Sequence, residues 1–433
     1  MRRTRQRDGT TRVHDQPVHG RTDITSQEEY GMSDITVDHV ESTDTIGARL
    51  NPFASKLSQA PHDIWTRLRN ECPVAHSDEL GGFHLLSRYE DVWAATLDTE
   101  TYSSAEGTTV PRHPVRMPPE DTDEPEHRMY RKIMDPLFTP KTVKSMESWV
   151  REMTVELLDS IEDLTKFDFV GDFSSQLPRH VILRIIGVPD EDLPELIDAM
   201  IALNGAYDDA ERGAAAGATL YGYFAQKLAE RREQPRRDDL ISALLDGDFG
   251  GEPLSDLDMQ HMLILTILGG TDTSSGAMGG MMLWLADHPE DYARLREDPD
   301  LMRTAIDEFL RYVSPVAYMA RTTTRDVEVQ GCPIPHNEKV LLGFGPANRD
   351  SEKFERADEV LLDRHPNPHV AFGGGPHRCL GANLVKLEMK VVLEEVINRF
   401  KSFEVEDYTK LRYQRGQARN LECLPLVTQR NNP

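Results

Sequence analysis

Residues 372–381 read "FGGGPHRCLG" and place Cys379, one of four cysteines, in a glycine-rich loop beside a histidine and an arginine. The run that follows, "LGANLVKLEMKVVLEEVINRF" from Leu380 to Phe400, has the apolar spacing of a helix, so the cysteine stands just before a helix N-terminus. A thiolate is an electron-rich ligand for iron. In this position it gains from the positive helix end and from backbone N–H groups pointing at sulfur. The preceding glycines let the backbone pass close beneath a flat cofactor, while Phe372 packs against the ligand side and limits water. Phe372, Gly375, Cys379 and Gly381 at these offsets would coincide by chance on the order of once in a thousand, from average residue frequencies.

The composition is that of a large acidic enzyme. A chain of 433 residues can enclose a sizeable ligand, and a net charge of −25 argues against binding a nucleic-acid backbone. Cys72, Cys332, Cys379 and Cys423 show no CxxC pairing, which leaves neither a disulfide framework nor a structural zinc site, and a reducing cytoplasm is the expected setting. Residues 1–45 read as a disordered extension without an apolar run for a signal peptide or membrane anchor, and Met32 is an alternative start. Residues 46–433 read as a single catalytic domain.

Past residue 50 the pattern predicts strands first and helices afterwards, in a chain that is mainly α with smaller β sheets. "GGFHLLSRYEDVWAATLD" (Gly81–Asp98) passes from strand to helix, and "VKSMESWVREMTVELLDSIED" (residues 143–163) and "GVPDEDLPELIDAMIALN" (Gly187–Asn204) have helical spacing. "RDVEVQGCPIPHNEKVLLGF" (Arg325–Phe344) returns to strand alternation, with a turn at Gly331, Pro333 and Pro335. The segment "MQHMLILTILGGTDTSSGAMGGMMLWLA" (Met259–Ala286) is apolar nearly all round and predicts one long buried helix. Asp272 at a bilayer centre would cost about 2.5–3.5 kcal/mol, and no Lys/Arg cluster flanks the segment, so a membrane span is disfavoured. Gly269 and Gly270 each weaken a helix by about 1 kcal/mol relative to alanine, which suggests that something bulky approaches the backbone there.

Together these features resemble the cytochrome P450 heme-thiolate monooxygenases, the soluble bacterial members in particular. Besides the cysteine loop, "GGTDT" (Gly269–Thr273) is similar to the family's oxygen-activating segment, "EFLR" sets Glu308 and Arg311 at its ExxR spacing, and "ANRD" (Ala347–Asp350) also matches. The resemblance covers essentially everything after the N-terminal tail. It implies a cytochrome P450 fold with heme b held between a long central helix and the cysteine loop, Cys379 being the ligand to iron.

The same resemblance assigns roles to other residues. His127, Arg131, Arg321 and His377 would cradle the heme propionates, with Phe372, Gly375 and Gly381 shaping the cofactor-binding loop. Asp272 and Thr273 would pass protons through ordered water, and Glu308 and Arg311 would form a structural ion pair. The family completes that pair with an arginine from a later meander. There "FERADEVLLDR" (Phe354–Arg364) carries Glu359, with Arg356 nearby but out of register, and how the network closes is left open at this point.

The implied reaction inserts one oxygen atom from O2 into a C–H or alkene bond of a lipophilic small molecule. No GxGxxG loop follows a strand, so electrons from NAD(P)H would arrive through a separate ferredoxin and ferredoxin reductase, docking near Cys379 where Arg128, Lys132 and Lys386 offer positive contacts. The expected enzyme is a cytoplasmic monomer. Pocket positions by family layout are the loop Val110–Met117, the turn Pro315–Met319 with Val316 and Met319, Leu421, and Leu265, Leu268 and Gly269 on the central helix. Arg112, His113 and Arg116 either hold a substrate carboxylate or lie in solvent. Two other classes stand against this reading: a heme-thiolate peroxygenase using hydrogen peroxide directly, and a non-catalytic heme-binding sensor.

Overall fold

The apolar segment around Gly269 forms two helices, Asp256–Gly270 and Asp272–Asp287, separated at Thr271. One continuous helix was the expectation, and its interruption has a local cause. The hydroxyls of Thr271 and Thr273 donate to the carbonyls of Ile267 (3.1 Å) and Gly269 (2.8 Å), a side-chain bond to the preceding turn that bends helices. The glycines just before the break lower the cost of opening it further. The first helix starts cleanly, because the Ser255 hydroxyl accepts from the Asp258 N–H. Met262, Leu263, Ile267, Met278 and Met281 are fully buried, which explains an apolar sequence on nearly every face.

This computed structural model describes residues 47–113, 115–161, 163–204 and 210–431. The extension 1–45 and the choice between Met1 and Met32 lie outside the described residues. Around the central pair pack the helices Gln176–Ile186, Met302–Val313 and Ala382–Arg399 in one large apolar core. Two helices, Ser55–Gln59 and His62–Glu71, precede the first strand, so the order of strands before helices does not hold. The helix expected over 143–163 is two, Pro140–Ser145 and Glu147–Ser160. No helix among the described residues is long and apolar enough to cross a membrane.

A five-stranded sheet stands beside the helical core in the order Val74–Ser77, Phe83–Leu86, Lys339–Gly343, Tyr318–Thr323, Tyr102–Ser103. Lys339–Gly343 runs parallel to Phe83–Leu86, with Val340 opposite His84, and antiparallel to Tyr318–Thr323, with Val340 opposite Arg321. That register sets the face on which Arg321 projects. Two strands after the last helix, Phe400–Val405 and Pro425–Arg430, form a three-stranded antiparallel sheet with the much earlier Lys166–Asp168.

The ion network around Glu308 closes through Arg364, the last residue of the stretch in which Glu359 had drawn attention. Glu308 and Arg311 have no exposed side-chain area and pair at 2.8 Å. Arg364 Nε reaches both Glu308 carboxylate oxygens (3.0 and 2.9 Å), Asn367 donates to one of them at 3.1 Å, and the Leu361 N–H donates to the other at 2.9 Å. Burial opposes ionisation of Glu308, but Arg311, the Leu361 N–H and Arg364 together hold its carboxyl below the usual range. Glu359 contributes only its backbone carbonyl, to Arg311 at 2.7 Å, and its side chain pairs with Arg356 at the surface. Arg364→Ala should therefore cost about 3 kcal/mol by leaving Glu308 under-compensated, whereas Arg356→Ala should stay within about 0.5 kcal/mol. Thermal unfolding of the two variants checks this, and equal losses would return the network to Arg356.

Candidate active site

The cysteine loop is folded by its contacts with a distant helix. Gly375 has φ +63°, and a Cβ there would stand 2.4 Å from the Thr96 carbonyl oxygen at the end of the helix Tyr89–Leu97. A side chain there would clash, so glycine is required where the loop packs onto that helix. The loop closes on itself through the Cys379 N–H, which donates to the Phe372 carbonyl at 2.9 Å. Two residues beyond the cysteine, Gly381 caps the helix Ala382–Arg399.

Cys379 lines a large cavity. Burial pushes its thiol up, against the opposing pull of the Gly381 and Ala382 N–H groups and of Arg131 and Arg378. The same cavity is lined by Gly269 and Thr273 at the helix break, by Leu265, Val316 and Met319, and by His127, Arg131, Arg321, Phe372, His377 and Gly381. A Cβ on Gly269 would meet no protein atom within 4 Å, so the backbone there faces open space.

Four basic side chains gather on this wall with few protein partners. Arg321 is 5% exposed, and its guanidinium donates to the Ala320 carbonyl at 2.7 Å. Among the described residues no carboxylate lies within ion-pair distance of it. Burial lowers its pKa while Glu120, Asp123 and Asp121 hold it up. The His127 and His377 rings lie 4.1 Å apart between centroids. His377 is pushed down to about 2, by burial first and then by Arg321, His127 and Arg131. Burial also lowers His127, with Arg131 adding to the effect and Glu124 opposing it. Both imidazoles are consequently neutral near pH 7 and offer N–H groups, not charge. Arg131 bonds Asp135 at 2.8 Å and the Arg378 carbonyl at 3.0 Å, tying its helix to the cysteine loop.

Several expected pocket residues lie elsewhere. Leu268 packs against the main core, and Leu421 is buried beside Gly279 on the second central helix; neither lines the cavity. Asp272 is also absent from the wall, where its neighbour Thr273 is present. Arg112 and Arg116 are engaged by Glu106 and Glu126, and His113 hydrogen-bonds the Val115 backbone. Lys386 pairs with Asp307, whereas Arg128, paired with Glu124, and Lys132 are exposed. The sequence reading missed Glu120, Ile182, Phe344 and Leu384 on the wall. Leu384 follows Gly381 by one helical turn and was available from spacing, but the other three arrive from separate elements that no local pattern connects.

Comparison with known proteins agrees with this architecture. The family model for Cytochrome P450 matches residues 192–418. Cytochrome P450 130 of Mycobacterium tuberculosis is 34% identical over 365 residues, which cover 80% of this chain and 90% of that protein. Among solved structures, CYP108D1 from Novosphingobium aromaticivorans superposes with a TM-score of 0.81 at 28% identity, covering 90% of this chain and 98% of its own. P450BioI, in complex with an acyl carrier protein ligated to hexadec-9Z-enoic acid, gives a TM-score of 0.79 at 29% identity over 87% of this chain and 99% of its own. With its cysteine loop at the head of a buried helix and a broken central helix lining the same cavity, the chain belongs to the cytochrome P450 family and is an oxidoreductase of that monooxygenase class.

Proposed function

We propose that this enzyme holds heme b through Cys379 and inserts one oxygen atom into a lipophilic small molecule, by C–H hydroxylation or epoxidation, with electrons from a ferredoxin and its NAD(P)H-dependent reductase. The observation that carries the reading is a single cavity lined by Cys379, by the helix break at Gly269 and Thr273, and by a buried arginine with no carboxylate at ion-pair distance among the described residues. These residues fit a large, flat, apolar group bearing carboxylates. Arg321 and Arg131 would supply charge to the propionates, and His127 and His377 would supply N–H donors. Bound heme supplies thiolate-supported iron chemistry with dioxygen, which no side chain of the protein could perform.

The chain's own residues then manage water and protons. Leu265, Val316, Met319 and Leu384 keep bulk water from the cavity. The Thr273 hydroxyl donates its proton to the Gly269 carbonyl, so its oxygen faces incoming donors as an acceptor and can hold a water in place. Asp272, the preceding residue, lies off the cavity wall, and we assign to its carboxylate the relay of protons to that water from behind Thr273. The apolar wall favours substrates of terpene, steroid or fatty-acid type, in keeping with the fatty acyl chain presented to P450BioI. Engagement of Arg112 and Arg116 by acidic neighbours argues against recognition of a substrate carboxylate there. The exposed cations nearest the cysteine loop, Arg128, Lys132 and Arg378, form the docking face we assign to the ferredoxin, and Lys386 is committed to Asp307.

Two measurements test this. Reduced protein under carbon monoxide should show the absorption shift of thiolate ligation, and Cys379→Ser should abolish it; persistence of the shift would overturn the assignment of the ligand. Lauric acid, limonene and testosterone, screened for a change in the heme spectrum, provide probes for the second. Thr273→Ala should retain heme and spectral binding while product per NAD(P)H falls at least about threefold and peroxide rises, because proton delivery is disordered. Wild-type coupling in that variant, together with efficient turnover on peroxide alone, would favour the peroxygenase reading.

A further inference from the structure

Asp272 is held by the C-terminal part of the chain. Gln414 Nε2 donates to Asp272 Oδ2 at 3.0 Å. Gln414 directly follows the strand Arg412–Tyr413, which pairs with Leu421–Cys423 in a hairpin. Inside that hairpin Asn420 Nδ2 donates to Gln414 Oε1 at 3.0 Å, and the Gln414 N–H donates to the Asn420 carbonyl at 2.8 Å. A primary amide has one accepting end and one donating end. With Oε1 occupied by the Asn420 amide, the donating end of Gln414 is the one turned to the carboxylate.

Asn420 in turn packs closely against the central helix, its Oδ1 buried there without a hydrogen-bond partner among the described residues. It is 3% exposed, and a Cβ on Gly276 would lie 1.9 Å from its Oδ1, so only glycine one turn beyond Asp272 allows this contact. The hairpin also meets the cavity: Ala418 bridges to Val316, a wall residue, and the Ala317 N–H donates to the Gln417 carbonyl at 2.8 Å. Arg179, from the helix Gln176–Ile186, adds an electrostatic partner; burial lowers its pKa and Asp272 holds it up. A charge sets the sign of the local field, but a hydrogen bond sets the direction in which the carboxylate points.

We propose that Gln414, locked by Asn420, is a positioning residue that fixes the Asp272 carboxylate for proton transfer. This rests on the proton-transfer role given to Asp272 above. The hairpin thereby joins one wall of the substrate cavity to the carboxylate beside Thr273.

The test uses heme-loaded enzyme reconstituted with a ferredoxin and its reductase, each of lauric acid, limonene and testosterone as probe, and peroxide released per NAD(P)H as the primary readout. Gln414→Leu should keep heme content, the carbon monoxide signature and spectral affinity for the probe. Its kcat should fall about tenfold or more with a matching rise in peroxide, as expected when a hydrogen bond to a charged group is lost. In the Asp272→Asn background the same substitution should cause no further loss, since the carboxylate it positions is gone. Asn420→Ala, which frees the Gln414 amide, should move the readout in the same direction and serves if Gln414→Leu does not fold. Wild-type coupling in Gln414→Leu beside an impaired Asp272→Asn overturns the positioning role alone. An added loss in the double variant also overturns it, by showing a merely structural contact. Wild-type coupling in Asp272→Asn itself would instead remove the underlying reading of Asp272.

Discussion

The carboxylate of Glu308 is the point on which this architecture depends. It is fully buried, a state that costs several kcal/mol unless the charge is matched and its lone pairs are filled. Arg311, Arg364, Asn367 and the Leu361 N–H fill them. The partners come from one helix and from the meander some fifty residues later, so satisfying a single anion draws the two together. Arg311 then spends its remaining donors on the carbonyls of Asn348, Ala357 and Glu359. Asn348 in turn accepts from the Val370 N–H at 2.8 Å, two residues before Phe372. Hydrogen bonds thus tie the buried charge to the stretch of chain that leads into the cysteine loop.

The site built on this support separates its tasks by environment. On the Cys379 side, neutral histidines and two arginines gather where burial discourages charge on imidazole but leaves guanidinium ionised. On the central helix, two threonine hydroxyls and two glycines open the backbone at a point that would otherwise be a regular turn. Local weakness in that helix is tolerated because Met262, Leu263, Met278 and Met281 on either side are fully buried. Packing supplies stability on either side of the break, and the break supplies room.

Much of this was legible from residue spacing. The offsets of Phe372, Gly375, Cys379 and Gly381, the periodic run after them, and Glu308 one turn before Arg311 are all properties of a few neighbouring residues. The basic wall was likewise readable as candidates: His127 and Arg131 are one turn apart, and Arg321 and His377 stand at motif positions. In the structure all four line the cavity with Cys379. Thr273 joined them there and Asp272 did not, because the interruption at Thr271 changes which side chains of the segment point inward.

What the sequence determined by itself was the set of local elements, since helix spacing, a glycine loop and an ExxR turn are encoded within one or two turns of chain. The tertiary structure decided the pairings between distant segments. Arg364 and not Arg356 completes the Glu308 network, Gly375 packs against the Thr96 carbonyl, Leu421 lies against Gly279 of the central helix, and Gln414 meets Asp272. Each of these depends on register and burial across separate elements. A single hydrogen bond between residues more than a hundred positions apart has no periodic signature; it exists only once packing has brought its two ends within 3 Å, as at Gln414 and Asp272.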